Sequence, residues 1–183
     1  MQGESESSLD GLHVAISGLG KVGFDLSKLL YDEGVRLTVA DIDNRAVIRA
    51  FRDIDAADVE SDVCHEVYCD IFSPCALGNI INKNTRESLQ CTAIVGAANN
   101  QLDNEDTADW LRKNNIVYAP DYLVNSGGVI AVAFEITDNI ENIQNQVLEI
   151  YDRTYDILEM SKKESLSTYV AAKNIAMNRI NSV

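Results

Sequence analysis

Gly18, Gly20 and Gly23, with a carboxylate at Asp41, are the residues of this chain whose types and spacing best define a chemistry. That chemistry is the seating of a dinucleotide. In Val14-Ala15-Ile16-Ser17-Gly18-Leu19-Gly20-Lys21-Val22-Gly23 the first glycine permits a tight strand-to-helix turn. The second has no Cβ to block a pyrophosphate, and the third lets the helix lie close against the sheet. The start of that helix offers unpaired N–H groups and partial positive charge to phosphate oxygens. Asp41 closes Leu37-Thr38-Val39-Ala40, roughly 20 residues beyond the glycines, where a carboxylate accepts hydrogen bonds from both ribose hydroxyls. A bare G-x-G-x-x-G is weak evidence; the flanking strands, helix and acid give it weight. Asp41 would repel a 2′-phosphate and Asp43 adds to that charge, so the pattern favours NAD over NADP. Arg45, a turn later, leaves some room for NADP but reads first as a solvated helix charge.

These residues need a sheet edge to hold them. The apolar pattern predicts a strand over Leu12–Ser17, then a helix over Gly20–Glu33 that ends at Gly34, with Val22, Leu26, Leu29 and Leu30 on one face. A strand over Arg36–Asp41, a helix over Asn44–Arg52 and a weak strand near Val59 or Val63 follow. Next come a strand over Val67–Phe72 closed by Ser73-Pro74, and a short helical region holding Leu77, Ile80 and Ile81. A buried strand over Thr92–Val95, a helix capped by Asp103 and running to Lys113, and a strand over Ile116–Ala119 complete the alternation. It predicts an α/β fold: a doubly wound, mostly parallel, Rossmann-like sheet with right-handed connections. From Gly127 to Ser182 the pattern is helical. Ile143, Val147, Ile150, Thr154, Ile157 and Ser161 form a stripe, widened by Leu148, Tyr151 and Leu158, expected to pack on the sheet or on a partner domain. A last helix after Ser165 carries Tyr169, Ala172, Ala176 and Ile180. Residues 1–10 read as a flexible lead and 11–183 as one nucleotide-binding domain, with C-terminal helices over about 137–183.

The 183 residues suffice for a single well-formed core, and a formal net charge of −14 argues against a nucleic-acid partner. No apolar run reaches the roughly 18 residues of a membrane span. Met1–Asp10 is polar and acidic without a secretory apolar stretch, which points to the cytoplasm. Cys64, Cys69, Cys75 and Cys91 match neither a redox C-x-x-C nor a paired zinc site, and His13 and His65 complete no familiar metal set. The cysteines read as reduced packing residues and His13 as structural.

Three later segments carry a resemblance: Cys69-Asp70-Ile71-Phe72-Ser73-Pro74-Cys75-Ala76-Leu77-Gly78, Gly96-Ala97-Ala98-Asn99-Asn100-Gln101-Leu102, and Tyr118-Ala119-Pro120-Asp121-Tyr122-Leu123-Val124-Asn125-Ser126-Gly127-Gly128-Val129-Ile130. With the glycine turn they resemble the cofactor domain of the glutamate, leucine, phenylalanine and valine dehydrogenase family, the leucine and phenylalanine branch being nearer. Ile150-Tyr151-Asp152 and Thr168-Tyr169-Val170-Ala171-Ala172 share that likeness. The resemblance implies oxidative deamination of an L-amino acid to a 2-oxo acid, with hydride passing to NAD and ammonia released. It implies that Gly18, Leu19, Gly20, Lys21, Val22 and Gly23 hold the pyrophosphate, and that Asp41, with Ile42 beside it, borders the adenosine ribose. Cys69 and Asp70 would lie at a strand's carboxyl end, where open parallel sheets bind ligands. Ala97, Ala98 and Asn99 would border the nicotinamide ribose, and Asn125 would face nicotinamide and substrate. Without the resemblance, Asn99 reads as a turn residue bonding its own backbone, and Gly127-Gly128 as a loop.

Two departures stand out. Lys21 replaces the asparagine usual in leucine-type enzymes, and reads equally as a charge near the phosphates or a solvated helix residue. The family's catalytic lysines sit in a separate N-terminal domain, in a G-G-x-K-G-type segment that nothing here matches. Lys28, Lys83, Lys113, Lys162, Lys163 and Lys173 read as surface charges. No catalytic residue is therefore assigned to this chain, which is expected not to turn over substrate by itself. An amino-acid substrate would need that other domain, and a homo-oligomer is compatible with the resemblance. A stand-alone dinucleotide-sensing module without catalysis is the alternative, and a structural protein that kept only the fold is a third.

Overall fold

Side chains alternate across the central strand. Val14 and Ile16 enter one core with Leu37, Val39, Phe24, Ala50 and Ile54, while Ala15 enters another with Phe72, Ile94, Leu111 and Tyr118. A strand buried on both faces must be covered by helices on both sides, the condition for a parallel sheet. The computed structural model describes residues 9–136 and 142–181. In it β1 (His13–Ser17), β2 (Arg36–Ala40), β3 (Ala57–Asp58), β4 (Cys69–Pro74), β5 (Cys91–Ile94) and β6 (Val117–Tyr118) form one sheet. The order is β3-β2-β1-β4-β5-β6, and every pairing is parallel. The helices are α1 (Lys21–Asp32), α2 (Asn44–Ile54), α3 (Glu105–Lys113), α4 (Asp121–Val124), α5 (Gly127–Ile136), α6 (Ile143–Glu164) and α7 (Thr168–Asn181). The fold is the expected doubly wound, Rossmann-like α/β arrangement with a helical C-terminal region. Phe24 of α1 and Ala50 and Ile54 of α2 pack on one face of the sheet, and Leu111 of α3 packs on the other.

Several boundaries and faces differ from expectation. The inner face of α1 is set by Gly23, Phe24 and Ser27, while Val22 and Leu29 are 59% and 66% exposed. The cause is close approach: Ser27 is small, and its hydroxyl donates to the Gly23 carbonyl at 2.7 Å. β4 begins at Cys69, two residues later than expected, because Cys64–Glu66 form a 3-10 turn that delivers the chain to the sheet. The region of Leu77, Ile80 and Ile81 is irregular, and Ile81 forms an isolated bridge to Leu102. Asn104, not Asp103, caps α3 by accepting from the Thr107 N–H at 3.0 Å. Gly127 and Gly128 open a helix rather than a loop. Only the second half of the α6 stripe is covered: Ile157 packs with Ala171 and Ala172 of α7, while Leu148 and Tyr151 are 65% and 75% exposed. Ala176 and Ile180 of α7 are likewise exposed. Of the lead 1–10, residues 1–8 lie outside the described residues, as do 137–141 and 182–183 of the tail.

The remaining local readings fit. Cys64, Cys69 and Cys91 are buried in the core and Cys75 packs against the other cluster, all four as free thiols. His13 bonds the Thr38 hydroxyl through Nε2 at 2.8 Å. Lys28, Lys83, Lys113, Lys162, Lys163 and Lys173 are exposed. No helix among the described residues is long and apolar enough to cross a membrane.

Candidate dinucleotide site

β1 and β4 are neighbours in the sheet although β2 and β3 lie between them in sequence. Chain direction reverses there, and the crevice beyond the carboxyl ends of such strands is where open parallel sheets bind ligands. The three glycines that leave β1 have three separate tasks. Gly18 has a φ of +105°, and a Cβ on it would lie 2.6 Å from the Ala76 Cβ. A Cβ on Gly23 would lie 2.0 Å from the Gly18 carbonyl oxygen, so the close approach is to the turn itself. Gly20 has an ordinary φ of −61°, and a Cβ on it would meet nothing within 4 Å. Folding thus requires glycine at 18 and 23, whereas at 20 glycine only keeps a surface bare.

Asp41 stands one residue past β2 with its carboxylate already oriented. Oδ2 accepts the Leu19 N–H at 2.6 Å and Oδ1 accepts the Asp43 N–H at 2.8 Å. A carboxylate has about four acceptor positions, so each oxygen keeps capacity for a hydroxyl donor. The side chain of Ile42 beside it is 92% exposed. Asp43 caps α2 and pairs with Arg45 through two 3.0 Å contacts; that hydrogen-bonded guanidinium holds its carboxyl below the usual range. Arg49 reaches back from α2, with its guanidinium 3.6 Å from the Phe24 ring centroid and Nη2 3.3 Å from the Leu19 carbonyl.

Cys69 and Asp70 are not at the crevice. β4 starts with them, Cys69 pairs with Cys91 at the start of β5, and the Asp70 carboxylate accepts the His13 N–H at the start of β1. They occupy the amino-terminal edge of the sheet, and their expected place is taken by Pro74, Cys75 and Ala76. Cys75 N–H donates to the Ser17 carbonyl at 2.7 Å, and Ala76 abuts Gly18. The motif was visible in sequence, but the two-residue shift of β4 moved its functional end.

Ala97, Ala98 and Asn99 do follow a carboxyl end, that of β5. Asn125, just past α4, donates from Nδ2 to the Asn99 Oδ1 at 2.7 Å, so these two distant amides meet. A framework that sequence reasoning did not assign holds them. Gln101 is fully buried and donates to the carbonyls of Gly96 and Ala98 at 2.7 and 2.9 Å. Its backbone N–H donates to Asp121 Oδ2 at 3.2 Å, and the Tyr118 hydroxyl donates to Asp121 Oδ1 at 3.0 Å. Burial pushes the Tyr118 hydroxyl well above its ordinary range, so it stays a donor. Gly127 and Gly128 are open to added side chains, since a Cβ on either meets nothing within 4 Å. Glycine inside a helix costs about 0.5–1 kcal/mol relative to alanine, so their presence in α5 has no packing cause within the described residues.

The sheet order, the turn and the crevice define a Rossmann-like nucleotide-fold domain. The model of the Glutamate/Leucine/Phenylalanine/Valine dehydrogenase family matches residues 45–182. Leucine dehydrogenase of Thermoactinomyces intermedius is 43% identical over 176 residues, covering 96% of this chain and 48% of the relative. L-tryptophan dehydrogenase of Nostoc punctiforme is 42% identical over 176 residues, covering 95% and 50%. The crystal structure of that tryptophan dehydrogenase superposes with a TM-score of 0.93 at 41% identity, covering 97% of this chain and 53% of the other. The chain belongs to the glutamate, leucine, phenylalanine and valine dehydrogenase family, an oxidoreductase family, and spans about half the length of the curated relatives it matches.

Proposed function

We propose that these residues form the NAD-binding part of an amino-acid dehydrogenase of the leucine and phenylalanine type. One observation carries the cofactor assignment: glycine at 18 and 23 is demanded by packing, while Gly20, between them, borders open space. A bare backbone at the start of a helix is what close approach of a diphosphate requires. In this reading the Gly18–Gly23 turn, with Leu19, Lys21 and Val22, holds the pyrophosphate. Asp41 takes the ribose hydroxyls with the acceptor capacity left after Leu19 and Asp43. Exposed Ile42 offers an apolar rim at the adenosine end. Ala97, Ala98 and Asn99 border the second ribose, and Asn125 orients the reacting end. NAD, when bound, supplies the hydride acceptor.

The substrate is an L-amino acid that leaves as its 2-oxo acid. Its Cα must be held against the acceptor and its ammonium deprotonated by a tuned base. The family resemblance puts that base in a segment these 183 residues do not contain. The chain therefore contributes cofactor binding and orientation, and the amino-acid partner engages only with a further domain. Likeness to the family continues through the loops after β5 and β6, which a sensor built on the glycine turn would not need. Calorimetric titration tests the assignment: NAD and NADH bind, and bind better than NADP; absence of heat with any of them refutes it.

A further inference from the structure

The groove between the start of α1 and the start of α2 is bordered by Leu19, Gly20, Lys21, Asp43, Arg45 and Arg49 and encloses about 640 Å³. Phe24, Asp25 and Ala46 complete its wall. Three cations face two carboxylates there, in a chain whose formal net charge is −14. A locally cationic groove on so acidic a surface selects for an anion. It also touches the Asp41 site, because Leu19 and Asp43 each donate a backbone N–H to that carboxylate.

We propose that this groove is a 2′-phosphate subsite, in which Arg49 and Arg45 receive the phosphate, and that Asp43 makes the chain discriminate against phosphorylated dinucleotides. The inference rests on the cofactor assignment above and deepens it by naming the residues that set its specificity. Arg49 is held in place by the Phe24 ring and the Leu19 carbonyl, so its charge is fixed beside the turn. Arg45 is spoken for by Asp43, but its side chain is 90% exposed. Exposed ion pairs contribute little and exchange readily. A phosphate carrying two negative charges would draw Arg45 from Asp43, were the Asp43 carboxylate not itself repelling that phosphate. Discrimination therefore lies in charge, not in space, since the groove is wide enough for the group.

Titration of the full chain with 2′,5′-ADP and with 5′-AMP separates the phosphate from the rest of the nucleotide. The chain is expected to bind 5′-AMP better than 2′,5′-ADP. Asp43→Asn keeps a good helix cap and is expected to strengthen 2′,5′-ADP binding roughly tenfold, the order of one charge-assisted hydrogen bond. Its 5′-AMP binding should change far less. Adding Arg49→Met or Arg45→Met should erase the gain, and far-UV circular dichroism checks that each variant is folded. If 5′-AMP binds but Asp43→Asn brings no gain, or the gain survives both arginine substitutions, the subsite is refuted and the cofactor assignment stands. If neither nucleotide nor NAD binds the parent chain, the cofactor assignment fails and the subsite with it.

Discussion

Gly20→Val separates the site from the fold more cleanly than any other substitution. At position 20 an added side chain meets no atom within 4 Å, and φ is −61°, accessible to every L-residue. Removing glycine from such a position stabilises by about 0.4–1 kcal/mol through the unfolded chain. Losing glycine from a helix cap costs a similar amount, typically below about 1 kcal/mol. The two offset, so stability should change by less than ~1 kcal/mol, a shift of roughly 2–4 °C in melting temperature for a chain of this size. Binding should respond very differently. Two backbone N–H donors to a charged phosphate are worth about 1.5–3 kcal/mol each, and a valine that holds the phosphate away forfeits both. That is at least about a hundredfold in Kd. Gly23→Ala is the control with the opposite signature: its Cβ would stand 2.0 Å from a backbone oxygen that cannot rotate away. It should destabilise at the upper end of the ~1–3 kcal/mol typical of overpacking. Thermal melts and NADH fluorescence titrations on the two variants make the comparison. A Gly20→Val protein that binds NADH as the parent does would refute the reasoning.

Three further outcomes are expected. Asp121→Ala strands the Gln101 N–H and the Tyr118 hydroxyl in a buried setting; at about 1–3 kcal/mol per orphaned group, urea unfolding should show a loss of several kcal/mol, and an unchanged midpoint would dismiss the framework. Thiol labelling at pH 8 should spare Cys64, Cys69 and Cys91 in the native state, because burial pushes their thiols from 9.0 to about 12, about 11 and about 12; native labelling of those three at the rate of unfolded chain would contradict this. The same shifts set a pH dependence. The folded thiols hold protons that the unfolded ones release above pH 9.0, so this contribution is complete below pH 9.0 and declines as pH rises toward 11–12; the slope is at most about 1.4 kcal/mol per thiol per pH unit, and stability rising over that range would contradict it. Finally, the 183-residue chain should form no NADH from leucine, phenylalanine, valine or glutamate, and turnover would overturn the placement of the base.

The parts of this molecule legible in sequence are those fixed by local spacing. The glycine turn, the acid after β2 and the strand–helix alternation each depend on residues within a few turns of one another. What escaped depends on tertiary structure. Val67 carries a strand-like side chain but follows a 3-10 turn, and Pro74 closes β4 from inside the strand, where the ladder ends and a missing N–H is tolerated. The resulting shift put Cys69 and Asp70 at the wrong edge. Gln101 looked like an ordinary loop residue because its two carbonyl partners are apparent only once the loop closes on itself. In α1 the periodic leucines suggested one face, but small residues fixed another by permitting closer approach. The α6 stripe has helical spacing along its whole length, yet burial follows only where α7 lies beside it.

The central claim is that the Gly18–Gly23 turn and the Asp41 carboxylate together seat a dinucleotide. A crystal structure of the chain with NADH tests it most directly. The account predicts the diphosphate against the bare backbone of Gly20 and the adenosine ribose hydroxyls on the two Asp41 oxygens. Nucleotide bound elsewhere, or the turn closed over by the chain's own side chains at saturating NADH, would contradict it.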